Sequence, residues 1–149
     1  MKLTLSVSYG VGVLLRIQEQ TRTGPVTAAR IARGCRFPPR FLYRVLRKLV
    51  DAGLLSGTSG PGGGYALARR PQEITLLDIV RGVESGPEPS DLPPACSTQR
   101  AAIEQINEIC RRSALQFADE LSRVSLADLE RLDHGARPVG RPRAKVKAK

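Results

Sequence analysis

The chain has no tryptophan, and three tyrosines with three phenylalanines bring aromatics to only 4% of its 149 residues. Any hydrophobic core is therefore aliphatic, built from Leu, Val, Ile and Ala. Histidine occurs once, at His134, which argues against histidine-based catalysis and histidine-rich metal sites. Three cysteines, Cys35, Cys96 and Cys110, are too few and too scattered for the disulfide framework of a small secreted protein. Acids are also scarce, 14 against 24 Lys plus Arg. No nucleophile–base constellation stands out, so an enzyme is the least expected class. No stretch approaches the roughly 20 apolar residues of a membrane span. The weakly apolar residues 3–15 are interrupted by Ser6, Ser8, Gly10 and Gly12 and lack a small-x-small cleavage site, so they are not expected to be a signal peptide. The expectation is a soluble, cytoplasmic protein with no membrane partner.

What is present is a globular balance of 41% hydrophobic and 26% charged residues, enough for one domain of ordinary size. The net charge is +10, and a cationic excess of that size favours an anionic partner. Residues 135–149, GARPVGRPRAKVKAK, hold six basic residues and no acid, leaving 18 basic and 14 acidic residues, or +4, in the body. Pro138, Pro142 and a lack of anything to bury predict a disordered tail.

Along the body, Val7, Val11, Leu14 and Leu15 share one helical stripe and predict an amphipathic helix over 6–20. Thr23-Gly24-Pro25 breaks it. Thr27 is a natural N-cap for a short helix through Arg33, with Ile31 and Ala32 inward. After a turn at 34–37, Pro38-Pro39 opens a longer helix that runs to Ala52 and stops at Gly53. Its apolar stripe is Phe41, Leu42, Val45, Leu46, Leu49 and Val50; its other face shows Arg40, Tyr43, Arg44, Arg47 and Lys48. Two helices joined by such a turn, the second basic outside, make a helix-turn-helix candidate. Arginine pairs bidentately with guanine edges, and any Lys or Arg neutralises phosphate. The plainer reading of this segment alone is a solvated cationic face.

The runs 54–56 and 65–67 flank a glycine-rich tip and predict a β-hairpin. Placed directly after the basic helix, that hairpin is the wing of a winged helix-turn-helix. Thr58, Ser59, Gly60, Gly62, Gly63 and Gly64 are its candidate DNA contacts, since backbone without a side chain can approach phosphate closely. A nucleotide cradle would end in Lys-Ser/Thr or open a helix; here Tyr65 opens a strand instead. Thr75 then caps a helix over 76–84 that closes the domain, with Leu77, Ile79, Val80 and Val83 apolar. Further on, Ile103, Ile106, Cys110, Ser113, Phe117 and Leu121 recur every three or four residues, followed by Val124. This is a narrow seam rather than a broad stripe. It predicts a homodimer interface of Ile103, Ile106, Cys110, Phe117, Leu121 and Val124, and a two-fold protein suits a pseudo-palindromic operator.

The segment SGPGGGYALARRPQEITLLDIVRGVES, the opening MKLTLSVSYGVGVLL and the later VSLADL resemble the Rrf-two family of bacterial winged-helix transcriptional regulators. The likeness covers residues 1–84 and resumes over about 97–132. It implies a mainly α fold with a small hairpin wing: a DNA-binding domain over 1–84, a loop over 85–96 that is the sensor loop in relatives, and a dimerisation helix with a C-terminal helical segment over 97–134. It also implies a homodimeric transcription factor on double-stranded DNA, here expected to repress, with an unknown effector. Many relatives sense through a cluster held by three cysteines in that loop and the helix after it. Here Glu104 falls where a cysteine would open the helix, only Cys96 lies near the loop, and Cys110 falls on the apolar seam, where a small buried hydrophobe is expected. Iron–sulfur clusters usually need four protein ligands, mostly thiolates, so no cofactor and no metal are expected. The alternatives are the same fold sensing iron–sulfur, nitric oxide or thiol redox state, with Cys96 the candidate redox residue, and an architectural protein with mostly non-specific binding. In relatives a wing arginine and an acidic residue on the reading helix help select bases; this chain has Ser59 and Tyr43 there, so a different operator is expected. Finally, Gly140-Arg141-Pro142 resembles the core of an AT-hook, which makes Arg141 and Arg143 candidate minor-groove contacts. A plain cationic tail is the alternative.

Overall fold

A computed structural model describes residues 3–20, 24–34, 38–84, 86, 91–93 and 100–135. Helix α1, Leu5–Gln20, lies at the centre, with Val7, Gly10, Val13, Leu14 and Ile17 buried. It packs against α2 (Ala28–Gly34), α3 (Pro39–Asp51), α4 (Leu76–Val83) and α6 (Leu126–Asp133). The Thr27 hydroxyl accepts from the Arg30 N–H at 3.3 Å, which satisfies one free donor at the start of α2. Helix α3 buries Leu42, Val45, Leu46 and Leu49. Phe41 and Val50, expected on that stripe, are half-buried at its edges, and the Tyr9 ring meets the Phe41 ring edge-on at 5.1 Å. Helix α3 ends at Gly53, whose φ of +67° suits glycine.

Strands β1 (Leu55–Thr58) and β2 (Gly64–Leu67) form the hairpin, antiparallel with Leu55 opposite Leu67 and Thr58 opposite Gly64. A third segment joins them. Val26 and Tyr65 exchange two backbone hydrogen bonds of 2.8 and 2.9 Å, so the wing is sewn to the linker between α1 and α2. The 3-10 turn Pro71–Glu73 leads into α4.

Helix α4 opens on a capping box. The Thr75 hydroxyl accepts from the Asp78 N–H, and the Asp78 carboxylate accepts from the Thr75 N–H. Helix α6 opens the same way on Ser125 and Asp128. The two caps face each other. Leu76 N–H donates to the Val124 carbonyl and Leu126 N–H to the Ile74 carbonyl, each at 2.8 Å, with Thr75 bridged to Ser125. Hydrogen bonds from the Ser125 hydroxyl and its backbone N–H, helped by the charge of Arg131, hold the Asp128 carboxyl below the usual carboxylate range.

The core runs across residue 84. Ile74, Ile79, Val83, Leu121 and Leu126 belong to one buried cluster with the residues of α1 and α3, so α6 is part of the winged-helix body rather than an appendage of the long helix. That long helix, α5, spans Arg100–Ser122, yet only Ala114 and Leu121 are buried on it. No described helix is long and apolar enough to cross a membrane.

Candidate nucleic-acid interface

Helix α3 has no side-chain cap; Pro39 in its first turn has no N–H to satisfy, and Phe41 N–H donates to the Pro38 carbonyl at 2.9 Å. No acid lies in that turn, so the positive end of the helix and Arg40 stand together. Behind them, Arg40, Arg44 and Arg47 fall three and four residues apart and are all exposed, one row on the side opposite the buried leucines. Tyr43 is 60% exposed beside that row. Helix α2 adds Arg30 and Arg33, also exposed. These two were missing from the sequence-based candidates, although their charge and their place on the first helix of the motif, which crosses the DNA backbone, would have marked them.

A cleft of about 490 Å³ lies between the wing and the Arg47 end of this row, lined by Tyr43, Arg47, Val50 and Asp51 of α3 and by Gly57, Thr58, Ser59, Gly64 and Tyr65 of the hairpin. Arg47 reaches Asp51 at 3.8 Å with both side chains well exposed; a pair this open contributes little to stability and leaves the guanidinium free to change partner. Thr58, Ser59, Gly60 and Gly62 are exposed at the tip. Gly63 and Gly64 have another reason to be glycine. A Cβ at Gly63 would lie 2.2 Å from the Thr58 carbonyl oxygen, and one at Gly64 would lie 2.7 Å from that of Val26. Their missing side chains admit the protein's own backbone, and both residues are half-buried.

Lys48 departs from its expected place. Its ammonium donates to the Val83 carbonyl at 2.6 Å, at the end of α4. Lys48 is still exposed, as are Arg40, Tyr43, Arg44 and Arg47, but its ammonium is bound within the chain. Arg141 and Arg143 lie outside the described residues, as do Cys35 and Cys96.

On α5 the expected seam divides. Leu121 is buried in the chain's own core, Phe117 packs against that core, and Val124 is half-buried with its carbonyl bound to Leu76. Leu121 thus serves the chain's own core, while Phe117 and Val124 keep part of their surface uncovered. Ile103 is half-buried, Cys110 is exposed rather than buried, and Ile106 is 42% exposed. Ile109, one turn beyond Ile106 and outside the expected seam, is 46% exposed. The segment 91–93 is strapped to this half of α5. The Asn107 amide accepts from Leu92 N–H at 2.8 Å and donates to its carbonyl at 3.1 Å, and Arg111 reaches Asp91 at 3.2 Å.

Among the described residues, no three His, Cys, Asp or Glu side chains gather where they could hold a metal ion. The first two turns of α5 carry no thiol or imidazole. Cys110 lies ten residues into the helix, about 15 Å along its axis.

The family model for Rrf2, described as "Iron-dependent Transcriptional regulator", matches residues 3–131. The HTH-type transcriptional regulator slr0846 of Synechocystis sp. is 32% identical over 130 residues, which are 87% of each chain. Protein rrf2 of Nitratidesulfovibrio vulgaris is 31% identical over 134 residues, 88% of each chain. Among solved structures, that of CymR, the global cysteine regulator of B. subtilis, superposes with a TM-score of 0.69 over 89% of this chain and 98% of that one; at 23% identity it shows a shared fold. A reading helix with its guanidinium row, a hairpin wing beside it and a family match over nearly the whole described chain agree: the protein belongs to the Rrf2 family of winged-helix transcriptional regulators and is a DNA-binding regulator.

Proposed function

We propose that the protein is a cytoplasmic, homodimeric repressor that recognises a specific operator and works without an iron–sulfur cluster. The observation that carries the reading is the exposed row Arg40, Arg44 and Arg47, whose Arg47, with Tyr43, lines a cleft shared with the wing. In the complex, α3 enters the major groove with Arg40, Tyr43 and Arg44 at base edges. Arg47 exchanges Asp51 for phosphate, and Arg30, Arg33 and the wing tip hold the backbone on either side. The dimer rests on Ile106 and Ile109, apolar and uncovered on a helix of 23 residues. A second copy covers them, with Ile103 and Cys110 in the same interface. Bound over a promoter, such a dimer represses by occupancy. The basic tail, with Arg141 and Arg143, adds affinity from the adjacent minor groove.

The test is a titration of an operator duplex, selected from fragments of the source genome, against a shuffled duplex of equal length. Operator binding tighter by about 10³-fold or more is expected of a specific regulator. A ratio near unity would make this an architectural protein. Protein purified without oxygen should be colourless and free of stoichiometric iron and sulfide. A visible absorption band abolished by Cys96→Ala would contradict the cluster-free reading.

A further inference from the structure

Lys48 is exposed among the basic residues of α3, yet its ammonium donates within the chain, 2.6 Å from the Val83 carbonyl. Val83 is the last residue of α4, so this oxygen is one of the carbonyls that a helix end leaves without an internal partner, at the negative end of the helix dipole. The two helices meet closely there. A Cβ on Gly82 would lie 3.0 Å from the Ala52 Cβ and 3.2 Å from a Leu54 methyl, and Val83 is fully buried. The opposite end of α4 is held just as firmly. Thr75 and Ser125 are bridged, and reciprocal hydrogen bonds join Leu76 to Val124 and Leu126 to Ile74, directly at the foot of α5.

Helix α4 therefore has one end on the base of the long helix and the other on the reading helix. We propose that Lys48 is a positioning residue for DNA recognition and not a phosphate contact: its bond to Val83 makes α4 a strut that sets the angle of α3 from the base of α5. The inference rests on the DNA-binding reading above. A row of guanidinium groups selects bases only when the helix sits at one angle in the groove, whereas attraction to phosphate tolerates a loose helix. Removing the tether should thus cost specific binding and spare non-specific binding.

The experiment uses the full chain with Lys48→Met and Lys48→Arg on the selected operator and on a shuffled duplex of equal length, each titrated across a salt series. Lys48→Met is expected to weaken operator binding by about tenfold, comparable to one mismatched base pair. Binding to the shuffled duplex should change less than about twofold, with the slope of log affinity on log salt unchanged, and Lys48→Arg should recover most of the loss. A slope shallower by about 0.9 would mean a lost phosphate contact and would overturn the proposal. So would an equal loss on both duplexes, or a fall in thermal midpoint with the operator preference intact. Should Lys48→Met fail to fold, reductive methylation of the unaltered chain decides. Lys48 should be labelled at the same rate with and without operator, and protection by DNA would overturn the assignment. Binding of the unaltered chain to its operator tests the functional reading; only the comparison of variant with parent, or of labelling with and without DNA, tests this one.

Discussion

Helices α3 and α5 carry the same kind of apolar stripe and end differently. On α3 every fully apolar position of the stripe's centre, Leu42, Val45, Leu46 and Leu49, is buried within the chain, and what remains outside is a row of arginines. On α5 only Ala114 and Leu121, toward the C-terminal end, are buried, and Ile106, Ile109 and Leu115 remain outside. The exposed side of α3 is cationic and well solvated in the single chain. The exposed side of α5 is the kind of surface that another apolar surface covers.

Opposite substitutions should break this contrast. Ile106→Asp places a charge on the uncovered stripe without touching the core. It should give a folded monomer by sedimentation and lower operator affinity by about 10²-fold or more, since the avidity of two joined reading heads is lost. Leu46→Ala should instead cost about 2–5 kcal/mol of stability, with no dependence of the unfolding midpoint on protein concentration beyond the parent's. Asp at Phe117 separates the two regions poorly, because that ring packs on the chain's own core.

On the α3 side, Arg40→Ala and Arg44→Ala should each cost about 1–3 kcal/mol and relax preference at one base position if they meet base edges. A uniform loss across sequences, read by competition titration, would assign them to phosphate. Removing residues 135–149 should weaken binding less, with a salt slope shallower by about 0.9 for each phosphate released. If Arg141 and Arg143 lie in a minor groove, operators flanked by A·T tracts should lose more than G·C-flanked ones.

The smallest effect concerns the joint between the regions. The folded state lowers the Asp128 pKa through Ser125, so its contribution to stability is present above the ordinary value of 3.8 and disappears as pH falls through the folded value. Asp128→Asn should be less stable than the parent at neutral pH in urea titrations, and the two curves should converge in acid.

Local signals made much of the fold legible in the sequence. Pro38-Pro39 and Gly53 bracket α3, Thr75 caps α4, and the glycine-rich tip marks the wing, because each of these acts within a few residues of chain. The links that hold the parts together were not legible. Val26 pairs with Tyr65, Thr75 with Ser125, and Lys48 with Val83, across 35 residues or more in each case, and none leaves a periodic trace. Periodicity also says which residues share a face, not what covers it. That is why Leu121, which the chain's own core covers, fell in one seam with exposed Ile106, and why Ile109 went unmarked. Likewise a lysine among arginines looks like one more cation until its acceptor is known.

Two copies joined through α5, each presenting one α3 to the major groove, should leave their symmetry on the DNA. Selection of bound duplexes from a random pool tests this most directly. The expected result is an enriched pair of inverted half-sites whose centres lie about one helical turn, roughly 10 bp, or a multiple of it apart. Enrichment of a single unrepeated half-site, or of no sequence at all, would contradict it.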